Sequence, residues 1–299
     1  MIRIGVDFGG TKIEAAALDA DGKYIARVRR PNPGEYGAAL TVVRELIEEA
    51  ESQTERVDRV GLGIPGSVSP RTGKVRNANS VYLNGRPFAE DLAQALGRPV
   101  RLANDADCLA LSEASDGAGA GFGVVFAVII GTGCGGGLVV DGRPIQGANG
   151  VAGEWGHNPL PWPTGGELTP PVCWCGKAGC QELYLSGTGF TADYRRCYGG
   201  DLDGPGIVAA MRAGDAHAKA TFDRYVDRLG RGLAVVVNLI DPDVIVLGGG
   251  MSNVAEIYPA LPPIVTERIF SDMFETPIRQ AVHGDSSGVR GAAWLWPVE

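Results

Sequence analysis

Ile2-Arg3-Ile4-Gly5-Val6-Asp7-Phe8-Gly9-Gly10-Thr11-Lys12-Ile13-Glu14-Ala15-Ala16-Ala17-Leu18 opens the chain and decides its fold. An apolar run, Ile2–Asp7, stops at a polar glycine loop. A second run, Ile13–Leu18, follows, and Asp19-Ala20-Asp21-Gly22 turns the chain back. The same grammar returns in the middle of the chain. Val124–Ile130 stops at Gly131-Thr132-Gly133-Cys134-Gly135-Gly136-Gly137, Leu138–Val140 is the next strand, and Asp141-Gly142-Arg143 makes the turn. Two halves that each read strand, glycine loop, strand, turn, strand predict an internal duplication. Two unrelated hairpins sharing turn chemistry are the alternative.

Helical periodicity fills the intervals. Ala39, Leu40, Val43, Leu46, Ile47 and Ala50 recur at three and four residues, predicting a helix from Tyr36 to Ser52. Phe88–Leu96 reads as another helix, Ala106–Ala114 as one whose N-terminus lies at Asn104-Asp105, and Ala218–Ile240 as a long one ended by Asp241-Pro242-Asp243. Val244–Leu247, followed by Gly248-Gly249-Gly250, is a buried strand. Strands alternating with helices make this an α/β protein. Its 299 residues suffice for two domains. With 27 basic and 35 acidic side chains the formal charge is −8, which disfavours nucleic acid and anionic membranes as partners. No signal segment or membrane-length apolar run is seen, so a cytoplasmic location is expected.

Several stretches carry chemistry. In Asp7-Phe8-Gly9-Gly10-Thr11-Lys12, the glycines let the backbone approach a phosphate, and Asp7 at the strand end could hold Mg²⁺ directly or through water. The alternative is a tight hairpin with an exposed acid. The second loop, Gly131–Gly136, literally fits GxGxxG, but it runs into a strand and not a helix, so a dinucleotide site is rejected. Asn104-Asp105 places a carboxylate at a helix start, where the dipole keeps it ionised as a general base requires; a plain N-cap is the alternative.

Cys173-Trp174-Cys175-Gly176-Lys177-Ala178-Gly179-Cys180 supplies three thiolates, and His157 a fourth ligand, giving a Cys₃His set suited to structural Zn²⁺. A reduced, metal-free loop is the alternative. Cys108, Cys134 and Cys197 read as core or loop residues, and His217 and His283 as structural. Glu154 and Glu182 flank the cluster, and carboxylates there suit vicinal sugar hydroxyls; solvated loop acids are the alternative.

Together these motifs resemble the ROK family of bacterial sugar kinases, in the actin-like ATPase superfamily. The likeness covers nearly the whole chain: Asp7–Lys12, Gly63-Ile64-Pro65-Gly66, Asn77-Ala78-Asn79, Asn104-Asp105, Gly131–Gly137, Glu154–His157, Cys173 to Glu182 and Val244–Gly250. Within the family it leans to the manno(fructo)kinase, or fructokinase, branch through Asn77–Ser80, Gly153–Trp162 and Gly284–Trp294.

The resemblance implies an α/β fold of duplicated ribonuclease H-like domains with a central ATP cleft. Expected boundaries are 1–115, joined by a C-terminal helix over 286–299, and 116–285 with the zinc loop. ATP and Mg²⁺ would be held by Gly5, Val6, Asp7, Phe8, Gly9, Gly10, Thr11 and Lys12, by Gly131, Thr132, Gly133, Cys134, Gly135, Gly136 and Gly137, and by Gly249. The hexose would be held by Gly66, Asn79, Asn104, Asp105, Glu154, His157 and Glu182, with Asp105 as catalytic base. Zn²⁺ on His157, Cys173, Cys175 and Cys180 would fix the loop carrying the sugar ligands. Phosphate transfer to the 6-hydroxyl of fructose and mannose is expected, with N-acetylglucosamine poorer; a glucokinase or an N-acetylglucosamine kinase is the alternative. The family implies a homodimer. A sugar-responsive regulator would need a DNA-binding segment ahead of Ile2, and a non-catalytic sugar sensor is disfavoured by Asp105.

Overall fold

Continuous apolar runs bury a strand on both faces, whereas alternation leaves one face in water. Arg3–Phe8 (β1) and Lys12–Leu18 (β2) are buried almost throughout; Tyr24–Pro31 (β3), with three arginines, lies at the exposed edge of the same antiparallel meander. The computed structural model describes residues 2–296, so the last three residues of the helix expected over 286–299 lie outside it. Tyr36–Ser52 (α1) has the predicted bounds and buries Ala39, Val43, Leu46, Ile47 and Ala50. Val60–Ile64 (β4) runs parallel beside β1. Ser67–Val68 (β5) and Val75–Arg76 (β6) form a short ribbon. Phe88–Leu96 (α2) leads to Val100–Asn104 (β7), parallel to β4, and Asp105–Asp116 (α3) follows at once.

The second half repeats the plan. Val124–Ile130 (β8), Cys134–Val140 (β9) and Arg143–Pro144 (β10) precede four helices: Glu182–Leu185 (α4), Gly187–Tyr198 (α5), Gly204–Arg212 (α6) and Ala216–Ile240 (α7). Val244–Gly248 (β11), Ile257–Thr266 (α8), Ile278–Gln280 (β12) and Ser287–Trp294 (α9) complete it. The two five-stranded sheets have orders β3-β2-β1-β4-β7 and β10-β9-β8-β11-β12. In each, the strand after the opening one pairs antiparallel with the next, while the later strands pair parallel. The expected duplication is thus present in the hydrogen-bond pattern.

One boundary is corrected. The strand after the second glycine loop begins at Cys134, not Leu138. Gly137 lies within this strand and directly on α3, where a Cβ would overlap the Ala106 carbonyl.

Two compact units result. One holds the described residues of Met1–Gly123, Gly137–Gly153 and Val282–Glu299; the other holds Val124–Gly136 and Glu154–Ala281. The expected boundaries differ from this division mainly at 116–123 and 137–153. The second segment folds with the first unit through hydrogen bonds such as Arg76 Nη2 to Asn149 O at 2.7 Å. The first unit's core is Ile4, Val6, Phe8, Ile13, Leu46, Leu62 and Phe88 with their neighbours. Its closing element is α9: a Cβ on Gly5 would overlap Val289 O, one on Gly61 would overlap Ala292 O, and Gly291 presses equally close on Cys108 of α3. Among the described residues no helix is long and apolar enough to cross a membrane.

Candidate active site

In the first unit, Asp7 is the last but one residue of β1, and the glycine loop over 9–11 turns into β2. Asn32 fixes this loop from behind. Its side-chain Nδ2 donates to Gly9 O at 2.8 Å and its backbone N–H to Thr11 O at 2.9 Å. With these carbonyls bound, the loop's opposite edge is set for an anion. Asn32 Oδ1 in turn accepts the Tyr82 hydroxyl at 2.5 Å. Sequence reasoning missed this buttress; the surrounding Pro31-Asn32-Pro33-Gly34 turn was its one signal.

Four predicted sugar residues converge in the same unit. Asn104 Nδ2 donates to Gly66 O at 2.7 Å, and its Oδ1 accepts Ala106 N–H at 2.8 Å, making Asn104 the N-cap of α3. Asp105 is therefore the first helical residue, not the cap. It is exposed, with Oδ1 2.8 Å from Ala106 N. Gly66 has φ +80°, and a Cβ there would stand 2.7 Å from Ala78 N, so the 77–79 turn lies against it. Asn84, also missed, clamps Ala78 by accepting its N–H and donating to its carbonyl, each at 2.9 Å; the adjacent Asn79 is exposed.

Asp7 and Asp105 interact electrostatically. Burial pushes the Asp7 carboxyl up to about 6, and the charges of Asp105 and Glu14 add to that against Lys12. A half-buried acid facing other acids, beside a glycine loop, has the hard oxygen-donor chemistry that a divalent cation on a phosphate requires.

The second unit holds the other loop. Its carbonyls also point backwards: Gly131 O accepts Gly187 N–H at 2.7 Å, Thr132 O accepts the Thr188 hydroxyl at 2.7 Å, and Gly135 O accepts the Trp155 indole at 3.0 Å. A Cβ on Gly156 would overlap Cys134 O, so the turn carrying Glu154 and His157 can pass against the loop only with glycine there. Glu154 precedes the single 3₁₀ turn Trp155–His157. Glu182 opens α4. Its Oε2 accepts Cys134 N–H at 3.1 Å and its Oε1 accepts the Trp174 indole N–H at 2.7 Å. Gly249, with φ +83°, abuts Ile130 and Gly131.

His157, Cys173, Cys175 and Cys180 come together, their ligand atoms all within 4.8 Å of one another. Cys175 and Cys180 Sγ are 3.6 Å apart, and Cys173 Sγ lies 3.8 Å from His157 Nδ1. A tetrahedral zinc with Zn–S bonds of about 2.3 Å sets ligand edges of about 3.8 Å, so the quartet fits the ion. Burial pushes the Cys173 thiol up and the Cys180 thiol up to about 12, while the backbone N–H of Lys177 pulls Cys175 down. The proline-rich leader of this loop is clamped to α7. Arg231 donates to Pro161 O and Trp162 O at 3.0 and 2.7 Å, and with Arg228 it binds Glu167. Burial raises the Glu167 pKa, but the hydrogen bonds from Arg231 and Arg228 outweigh it and hold the carboxyl at about 2. Of the remaining cysteines, Cys108 and Cys134 are buried as expected, whereas Cys197 is exposed on α5.

Residues 3–299 match the ROK family. The chain is 41% identical over 296 residues, 97% of each protein, to an N-acetyl-D-glucosamine kinase of Pectobacterium atrosepticum. It is 42% identical over 294 residues, 97% of this chain and 95% of the relative, to the N-acetylgalactosamine kinase AgaK of Shewanella sp.. Among solved structures, the ROK hexokinase of Thermus thermophilus superposes with a TM-score of 0.88 at 33% identity, covering 99% of this chain and 97% of the other.

Proposed function

The chain belongs to the ROK family, and from that premise we propose that it is an ATP-dependent hexose kinase whose principal substrate is N-acetyl-D-glucosamine. The observation that carries the reaction class is the acid pair beside the first glycine loop: exposed Asp105 at the start of α3, close enough to Asp7 to raise its pKa. Asp105 accepts the proton of the sugar 6-hydroxyl as that oxygen attacks the γ-phosphorus. The new O–P bond forms while the bond from the γ-phosphorus to the ADP oxygen breaks, giving a 6-phosphate ester and ADP. Such transfer needs positioning and charge stabilisation above all. The loops over 9–12 and 131–137 supply backbone N–H groups, and Asp7 is the residue that would hold Mg²⁺. Gly66, Asn79 and Asn104 in the first unit, and Glu154, His157 and Glu182 in the second, are the residues that would bind ring hydroxyls. Zn²⁺ on His157, Cys173, Cys175 and Cys180 would close the loop that carries them.

The choice of sugar rests on the relatives. Sequence motifs ranked fructose and mannose above N-acetylglucosamine; identities of 41% and 42% to two N-acetylhexosamine kinases, over 97% of the chain, support the reverse order. Fructose or mannose remains the second reading, favoured by the stretches 77–80, 153–162 and 284–294. A coupled ADP-release assay over N-acetylglucosamine, N-acetylgalactosamine, glucose, mannose and fructose decides between them, with phosphorus NMR locating the ester. The highest kcat/KM is expected for N-acetylglucosamine with a 6-phosphate product. A higher value for fructose or mannose would reverse the assignment, and a 1-phosphate would refute the geometry.

A further inference from the structure

We propose that Trp174 is a positioning residue of the hexose site, holding Glu182 and His157 in the arrangement that grips the sugar. The inference rests on the kinase reading above. Trp174 is 67% exposed, yet it is bound on two sides. Its indole N–H donates to Glu182 Oε1 at 2.7 Å, and its ring stands edge-on to His157 with centroids 5.1 Å apart and planes at 82°. Both partners belong to the proposed sugar-binding set.

The backbone of Trp174 is fixed by its neighbours. Cys173 and Cys175 flank it in the metal quartet, and Cys173 closes the turn by hydrogen bonds to Lys177 O at 2.8 Å and from Gly176 N–H at 2.9 Å. Glu182 is held at both oxygens: Trp174 donates to Oε1, where Cys173 Sγ also lies at 4.0 Å, and Cys134 N–H donates to Oε2. Gly133 leaves room for it, since a Cβ there would stand 2.9 Å from Oε2. A carboxylate has about four acceptor directions; with Cys173 ionised, as a metal ligand would be, its sulfur donates nothing to Oε1 and two are left for sugar hydroxyls. Without the indole, Glu182 Oε1 keeps only the weak 4.0 Å contact with Cys173 Sγ, so the carboxylate is held firmly at Oε2 alone and can rotate away from them. The edge of the ring also limits the tilt of His157. An aromatic side chain so exposed has little packing reason to be oriented this way, and a role in covering the metal does not call for the hydrogen bond to Glu182.

Trp174→Phe keeps a ring and deletes the N–H; Trp174→His restores a ring N–H. Each full-length variant is purified without chelator and assayed for zinc, for kcat and both KM values, and for tryptophan emission on adding N-acetylglucosamine alone. The expected result is zinc retained, a sugar KM raised about three- to tenfold in Trp174→Phe with kcat within about twofold, and partial recovery in Trp174→His. The wild-type emission should change with sugar, and that change should vanish in Trp174→Phe. A zinc-loaded Trp174→Phe with sugar KM within about twofold of wild type would overturn the proposal. So would zinc loss in both variants, which would make Trp174 part of the metal fold, or a wild-type emission indifferent to the sugar. A wild type that phosphorylates no hexose would instead sink the kinase reading itself.

Discussion

Asp105 illustrates how a single position separates structure from chemistry. Because Asn104 caps α3, the helix does not depend on the Asp105 carboxylate. Asp105→Asn is therefore expected to leave sugar affinity by calorimetry within about threefold, while turnover falls about 10²–10⁴-fold, the usual contribution of a general base. Near-normal turnover would exclude the role. Asp7 shows the reverse coupling. Its folded pKa of about 6 lies above its ordinary 3.8, so the folded chain holds this proton more tightly than the unfolded one. The ionised form therefore destabilises: the cost is full above pH 6 and fades as pH falls toward 4. Asp7→Asn is predicted to stabilise the ligand-free protein by about 1–3 kcal/mol at pH 8 and by about half that at pH 5, while abolishing turnover. Thermal melts at both pH values check it, and a loss of stability at pH 8 would contradict it.

Among the elements, the loop carrying the Cys₃His quartet ties together several of the proposed sugar ligands. It presents His157, Trp174 and Glu182 side by side, and its leader is tied to α7 by Arg231 and Arg228. Cys175→Ser is expected to lose the metal, lower the melting temperature and raise the sugar KM together, because closing the loop is what binding the ion contributes. Elemental analysis of wild type should find one zinc per chain; none in protein purified without chelator would remove the metal from the account. The α7 clamp should persist without metal to low pH, since Glu167 protonates only near 2. Its contribution is lost as pH falls toward that value from the ordinary carboxylate range.

For the whole chain, the decisive contact is the return of α9 to the sheet with which the sequence begins. Gly5 on β1 and Gly61 on β4 have no side chain because α9 occupies that space, and Gly288 leaves room for Asp7, whose Cγ would otherwise be 2.9 Å from a Cβ. The C-terminal segment thus helps bury the acid that is proposed to hold Mg²⁺. Gly61→Ala would drive a methyl group into the Ala292 carbonyl. Overpacking of this kind costs about 1–3 kcal/mol or more, corresponding to a fall of about 5 °C in melting temperature. An unchanged melting temperature would mean that α9 is seated differently.

The sequence by itself determined what depends on neighbours in the chain. The glycine loops, the duplicated strand order, the bounds of α1 and α2 and the Cys₃His quartet follow from turn chemistry, periodicity and ligand spacing, all set within a few tens of residues. Helices α5, α6 and α8 escaped because their sequences argue against helix: Gly187 and Gly189 in the first, Gly204-Pro205-Gly206 in the second, Pro262-Pro263 in the third. Caps such as Ser186 and Asp203, together with buried faces at Phe190 and Ile207, override that preference. Only the tertiary structure decided the raised pKa of Asp7, the Asn32 buttress, the anchoring of Glu182 and the contacts that seat α9. Each joins residues distant in sequence, such as Glu182 with Cys134 or Gly5 with Val289. Such pairs meet only once burial brings their elements together, and no local pattern in the chain encodes which atoms will touch.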